Sequence, residues 1–264
     1  MARVIAVTNQ KGGVGKTTTC VNLAASLAAT KRRVLLVDMD PQGNATMGSG
    51  IDKNALSLSG YDLLTKRASA AEVIIPAPNG GFNILPANGD LTAAEVKLMN
   101  EIGREHRLRL AINGIREQYD YVLVDCPPSL NLLTVNALSA ADTVLIPMQC
   151  EYYALEGLAA LMNTVEQIQE TVNPELTVDG ILRTMYDPRN SLTLDVSAQL
   201  NEYFGDKVYQ VVIPRNVRLA EAPSYGMPAL AYDRGSKGAI AYLALAGEMV
   251  RRHGSQKTSA AVAV

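Results

Sequence analysis

Residues Asn9–Thr19, reading NQKGGVGKTTT, restrict what this chain can fold into more than any other stretch. They follow the apolar run RVIAVT (Arg3–Thr8) and precede VNLAASLAA (Val21–Ala29), which is rich in helix formers. Strand, glycine turn and helix is the context that a phosphate-binding loop requires. Glycines at 12, 13 and 15 let backbone N–H groups converge on phosphate oxygens without interference from a Cβ. The helix that starts behind them aims its positive end at the anion. In such a loop Lys16 reaches the β- and γ-phosphates, and the Thr17 hydroxyl holds Mg2+.

The loop departs from the ordinary pattern at one position. G-x-x-x-x-G-K-[ST] requires glycine five residues before Gly15, where this chain has Gln10. It carries instead a second lysine, Lys11, directly before Gly12-Gly13. The form K-G-G-x-G-K-[ST]-[ST] resembles the deviant Walker A box of the ParA/MinD ATPases. That resemblance implies that Lys11 crosses to the nucleotide of a partner subunit. The expected nucleotide-binding set is Lys11, Gly12, Gly13, Val14, Gly15, Lys16, Thr17 and Thr18, with ATP and Mg2+ as cofactors. A glycine-rich turn with two incidental lysines is the plainer alternative, and the length and context of the motif argue against it.

Seven apolar, β-rich runs recur along the chain: Arg3–Thr8, Arg33–Asp38, Phe82–Pro86, Tyr121–Asp125, Thr143–Met148, Val178–Thr184 and Val208–Ile213. Several are almost continuously apolar, as strands are when helices cover both faces. The intervening segments are long enough for right-handed crossovers. The expected fold is α/β: a doubly wound, mostly parallel sheet flanked by helices, a P-loop NTPase of the deviant Walker A type. Ligands then sit at the carboxyl ends of the strands. Residues 42–80, rich in Gly, Ser, Asn and Ala, are read as short helices at a sheet edge. No linker stands out, so residues 1–253 are expected to form one domain, with 254–264 as a fraying tail.

Composition narrows the function classes. A net charge of −2 excludes polyanion binding by bulk charge, so any nucleic-acid contact must come from a local patch. Cys20, Cys126 and Cys150 are isolated, which argues against a metal cluster or disulfide framework and fits a reducing cytosol. Cys20 and Cys126, close behind the phosphate motifs, are read as small buried side chains. A strand beginning at Arg3 leaves no room for a signal peptide, and no apolar run approaches the ~18 residues of a membrane span.

After the second strand comes DMDPQGNAT (Asp38–Thr46), with two carboxylates at the end of a buried strand. A carboxylate near the γ-phosphate can orient the attacking water. The run resembles the switch I signature of ParA proteins, which implies the hydrolytic role for Asp40. Asp38 either supports the metal shell or serves an N-cap or Asx turn. The strand YDYVLVDCPPS (Tyr119–Ser129) leads into Asp125 as a Walker B strand does. Asp125 is expected near Mg2+ through a water, because magnesium keeps several waters.

Two further segments, QCEYYALEG (Gln149–Gly157) and VIPRNVRLAEAPSYGMP (Val212–Pro228), closely resemble chromosomal ParA (Soj-type) sequences. That match implies Pro214 and Arg215 as adenine contacts. Tyr152 and Tyr153 are read as helix-face packing. The resemblance runs from Arg3 to about Arg251 and is specific to ParA/Soj chromosome-partitioning ATPases. It implies a cytoplasmic, nucleoid-associated ATPase in which Lys11, Lys16 and Asp40 act in hydrolysis. It implies an ATP-dependent homodimer that binds double-stranded DNA without sequence preference, and a ParB-type partner that stimulates hydrolysis. Arg189 and Arg218 stand at positions matching the family's DNA contacts, with Lys237, Arg251 and Arg252 as secondary candidates. A MinD-like membrane ATPase is the alternative. The small residues after Arg252 speak against its amphipathic anchor, and no membrane partner is expected. An iron–sulfur relative lacks its cysteine pairs here. A slow, nucleotide-gated scaffold keeps all the same parts.

Overall fold

The computed structural model describes the backbone of residues 1–262 and the side chains of residues 1–254, so nearly all of the expected fraying tail lies outside the fully described residues. Seven strands form one sheet: β1 (Arg3–Val7), β2 (Val34–Asp38), β3 (Ile75–Pro76), β4 (Asn83–Leu85), β5 (Tyr121–Asp125), β6 (Thr143–Gln149) and β7 (Thr177–Thr184). Their order is β3-β4-β2-β5-β1-β6-β7, and every pairing is parallel except β3 with β4. The helices between them are α1 (Lys16–Ala29), α2 (Asn44–Gly48), α3 (Gly60–Leu64), α4 (Ala70–Val73), α5 (Leu91–Leu98), α6 (Arg107–Asn113) and α7 (Leu132–Ala140). They continue with α8 (Ala154–Thr171), α9 (Ser191–Phe204), α10 (Val217–Glu221), α11 (Ala229–Tyr232) and α12 (Lys237–Val262).

Side chains along a strand alternate between faces, so each central strand feeds two cores. Val4, Ala6, Val122 and Val124 pack with Leu91, Leu108, Leu133 and Leu158 on one side. Ile5, Val7, Leu36 and Leu123 pack with Leu23, Leu27, Tyr242 and Leu245 on the other. Burial on both faces accounts for the continuous apolar runs. The expected short helices of residues 42–80 are α2, α3 and α4.

Two expectations about strands fail. Val208–Ile213 is not a strand; its one bridge to β7 is Ile181 with Val208, and a second isolated bridge, Tyr186 with Pro214, lies just past both segments. Its backbone pairs with β7 only at intervals, Tyr209 N–H to the Ile181 carbonyl at 3.0 Å and Ile213 N–H to the Arg183 carbonyl at 2.9 Å, and side chains take groups between them. Glu248 of α12 accepts from the N–H groups of Gln210 and Val211, each at 2.9 Å. Arg183 donates to the carbonyls of Tyr209 and Gln210 at 2.7 and 3.2 Å. The antiparallel β3 was not expected, because two residues ending in proline carry no strand signal.

Buried polar contacts pin α12 to β7. His253 Nε2 lies 2.7 Å from Asp179 Oδ1, and the Tyr209 hydroxyl donates to Asp179 Oδ2 at 2.5 Å. Burial pushes the Asp179 carboxyl up, but the hydrogen bonds and charge of His253, with the Tyr209 bond, outweigh it and hold the pKa below the usual value. A carboxyl held low when folded contributes stability above its unfolded pKa of about 4, and that stability is lost as pH falls through the lower folded value. Asp179→Asn is therefore expected to cost about 3 kcal/mol at pH 7, the scale for removing one partner of a buried pair. The gap from wild type narrows below about pH 4. Urea unfolding at both pH values checks this; equal midpoints at pH 7 would contradict it.

Candidate active site

The site assembles because β1 lies between β5 and β6 while β2 lies on the far side of β5. The loops after β1, β2 and β5 therefore emerge side by side. In register, Val7 stands opposite Asp125, and Asp125 stands opposite Asp38. The three sequence-predicted motifs thus meet at one carboxyl edge.

The phosphate loop is built on glycine where the backbone requires it. Gly15 has φ 87° and forms the N-cap of α1 with no side-chain cap, which leaves the first-turn N–H groups for a ligand. Two residues outside the motif brace the loop. Asn9 Nδ2 donates to the Pro147 carbonyl at 2.9 Å while its Oδ1 accepts from the Lys11 N–H at 2.9 Å. The Thr184 hydroxyl donates to the Val14 carbonyl at 2.8 Å. Neither brace was legible in the sequence, since Pro147 and Thr184 lie far along the chain.

Both lysines engage the chain itself. Lys16 is buried, 8% exposed, and its ammonium donates to the Lys11 carbonyl at 3.1 Å. Burial lowers its pKa, partly offset by Asp125, Cys126 and Asp40. Lys11 is half-exposed and pairs with Glu151 at 2.5 Å, another residue the sequence did not single out.

The three carboxylates differ sharply in environment. Asp38 is fully buried and accepts from the Thr46 N–H at 2.8 Å and the Thr46 hydroxyl at 2.7 Å, as well as from the Asp40 N–H at 3.2 Å. Burial raises its pKa to about 6 against these bonds. Of the two roles open for Asp38, the structure supports the local anchor: it ties α2 and the following loop to β2. The turn before α2 needs Gly43 at φ 60°, where a Cβ would come within 2.7 Å of the Ala87 carbonyl. Asp40 is partly exposed, and its Oδ1 accepts from the Gln42 N–H at 2.9 Å.

Asp125 is fully buried. The Cys20 thiol donates to its Oδ1 at 3.5 Å, and its Oδ2 has no hydrogen-bond partner. Burial and the neighbouring Asp38 raise its pKa to about 8, with Thr17 and Cys20 pulling the other way. A lone buried oxygen beside Thr17 fits Mg2+ held by the Thr17 hydroxyl with Asp125 behind it. The cation would offset the cost of ionising Asp125. Cys20 and Cys126 are buried free thiols, as expected, and Cys150 is buried and free as well. Among the described residues no cluster of His, Cys, Asp and Glu is placed to hold a metal by itself.

Other expected site residues lie outside this cluster. Pro214 follows Ile213 along the outer side of β7, where the Tyr186 N–H donates to the Ile213 carbonyl at 2.9 Å, and Arg215 is exposed. Tyr152 and Tyr153 do not pack on a helix face. They precede α8, are 77% and 69% exposed, and meet edge to face with ring centroids 5.0 Å apart. Arg189 is highly exposed and hydrogen-bonds Asp187 at 2.8 and 2.9 Å. Arg218 pairs with Glu221 at 2.8 Å and Asp233 at 3.2 Å.

A family described as an AAA domain matches residues 2–178. The sporulation initiation inhibitor protein Soj of Bacillus subtilis is 52% identical, with 94% of this chain and 98% of that protein covered. The chromosome partitioning protein ParA of Myxococcus xanthus is 50% identical, over 96% of this chain and 89% of that protein. The chain belongs to the ParA/Soj family of chromosome-partitioning ATPases. A structure similar to this ParA/Soj-family chain is that of cobyrinic acid a,c-diamide synthase from Mycobacterium smegmatis, solved with an ATP analogue and magnesium. It has a TM-score of 0.85 and 38% identity, with 97% of each chain covered.

Proposed function

We propose that this chain is a Mg2+-dependent ATPase switch for chromosome partitioning. In this reading it dimerises around ATP, binds double-stranded DNA without sequence preference, and is released when a ParB-type partner stimulates hydrolysis. The observation that carries the reading is the side-by-side register of Val7, Asp125 and Asp38, which supports a single site shared by the loops that bear Lys16, Thr17 and Asp40. The M. smegmatis neighbour supports it, having been crystallised with an ATP analogue and magnesium.

The residues divide the work. Backbone N–H groups of residues 12–18 and the Lys16 ammonium hold the phosphates. Lys11 leaves Glu151 and reaches the phosphates bound by a second copy of the chain. Thr17 and Asp125 are the residues that would hold Mg2+, which would supply charge neutralisation at the phosphates. Asp40, the least buried of the three carboxylates, orients the attacking water and takes its proton. The new P–O bond forms at the γ-phosphorus, the β–γ bridging bond breaks, and ADP and phosphate leave. Pro214 and Arg215 line the base end. Residues 1–253 act as one unit in this cycle.

Arg189 and Arg218 supply the DNA contacts. Each already has acidic neighbours in its own chain, so DNA phosphates must compete with those carboxylates. Two copies acting together make a few such contacts sufficient. Arg189→Glu is expected to leave ATP-dependent dimerisation intact, weaken DNA binding, and reduce the salt slope by about 1 per arginine lost. Unaltered DNA affinity would remove Arg189 from the interface.

The deciding experiment measures DNA binding with no nucleotide, ADP, ATP and a slowly hydrolysed ATP analogue, at two salt concentrations. Binding only with ATP or the analogue, weakened by salt and indifferent to sequence, supports the switch. No DNA binding in any state rejects it, and liposome sedimentation then tests the MinD-like alternative.

A further inference from the structure

The connection between α5 and α6 carries a groove that the nucleotide site does not use. A cavity of about 350 Å3 opens there, lined chiefly by Lys66, Ile102, His106, Arg107, Arg109 and Leu110. No aspartate or glutamate lines it. In a chain of net charge −2, three cations and a histidine around one cavity form a local exception. Lys66 and Arg109 make no ion pair among the described residues. Arg107 is buried, yet its guanidinium bonds only through Nη2, which donates to Glu101 at 2.9 Å. Its Nε is buried with no hydrogen-bond partner among the described residues, so the group keeps donors to spare for an anion.

The surface around the cavity is apolar. Val96, Met99, Ile102 and Leu110 are all exposed within residues 96–110, Ile102 at 99%. Exposed apolar side chains concentrated in this way mark protein-binding surfaces, whereas a small ion would need only the cavity. The groove is also held in shape by α7. His106 Nδ1 lies 2.7 Å from the Ser139 hydroxyl, and Asn136 Nδ2 donates to the Arg104 carbonyl at 2.9 Å. Asn136 Oδ1 accepts from the Leu108 N–H at 3.2 Å. A preformed groove loses little entropy when a ligand orders on it.

We infer that this groove docks an acidic, amphipathic peptide segment of a protein partner. Carboxylates of the segment pair with Lys66, Arg107 and Arg109, and its apolar side chains pack on Ile102 and Leu110. A second copy of this chain is a poorer occupant, because a two-fold pairing of the face with itself sets these cations against their own copies. Glu101 and Glu105, 2.9 and 3.9 Å from Arg107 and His106, stand beside the groove and repel a uniformly anionic surface such as a layer of lipid headgroups.

Selection of random peptides displayed on phage, against the full chain without nucleotide, tests this independently of the ATPase reading. The enriched peptides are expected to combine Asp or Glu with Leu, Ile or Phe. In fluorescence anisotropy an enriched peptide should bind Ile102→Ser about tenfold more weakly, the scale of an interface anchor. Lys66→Glu should weaken it similarly and flatten its salt dependence. Both side chains are exposed, so both variants should fold, and unchanged melting temperatures check that. Enriched peptides that lack acidic residues, or whose binding neither variant weakens, overturn the assignment, as does a wild-type chain that enriches none. Binding to phosphatidylglycerol vesicles that Lys66→Glu abolishes would make the surface a lipid site. Nucleotide-independent self-association lost in Ile102→Ser would make it a contact between copies. Either result overturns the peptide assignment.

Discussion

Lys16→Ala is expected to lower ATP affinity about a hundredfold, from the roughly 3 kcal/mol that a charge-assisted hydrogen bond to phosphate contributes at the upper end. Lys16 as a residue is 8% exposed, and its ammonium bonds only one protein oxygen in the described structure, the Lys11 carbonyl at 3.1 Å. Burial already disfavours its charge, as the lowered pKa records. A triphosphate relieves that penalty by placing anionic oxygens beside it, so the energy gained is specific to the bound state. Alanine is the best helix former and begins α1 without difficulty, so the fold should persist. Titration of a fluorescent ATP analogue into folded variant checks this. Unchanged affinity would sink the assignment of the loop as the phosphate cradle, and DNA binding and dimerisation should disappear together with ATP binding.

Asp40→Ala is expected to keep ATP binding, ATP-dependent dimerisation and DNA binding while turnover falls by about 10²–10⁴, the range that a general base contributes. Asp38 cannot replace it. That carboxylate is fully buried and committed to Thr46 and the Asp40 N–H, whereas Asp40 is partly exposed. Asp40 also accepts from the Gln42 N–H, so alanine removes a turn contact along with the base. Asp40→Asn separates the two effects, since an amide oxygen can still accept from Gln42 but takes no proton. Phosphate release measured beside ATP affinity decides the matter. Normal hydrolysis in Asp40→Asn would assign the water-orienting role elsewhere.

The chemistry was legible where it is local. The phosphate loop, the Asp-x-Asp-Pro turn and the Asp-terminated strand are each contiguous, because a single strand end and its turn must present the groups. Buried parallel strands were legible for a related reason: burial on both faces leaves an unbroken apolar run, as in Val34–Asp38 and Tyr121–Asp125. Val208–Ile213 misled because it is equally apolar, yet between its two backbone bonds to β7 the Glu248 and Arg183 side chains take its backbone groups, which no pattern within the segment reveals. Tyr152 and Tyr153 misled because adjacency to a helix does not say which way the preceding turn faces.

By itself the sequence determined the chemistry available to this protein: two lysines, a threonine and carboxylates, each at the end of an element that must be a strand or the start of a helix. Only the tertiary structure decided how these groups act together. The strand order set Asp38 beside Asp125 and brought Glu151 to Lys11; burial raised both carboxyls, and the packing of α12 closed His253 against Asp179. The reason is physical: a carboxylate's charge and an acceptor's need for a partner depend on what is buried next to it. In a doubly wound sheet those neighbours come from strands and helices far apart along the chain.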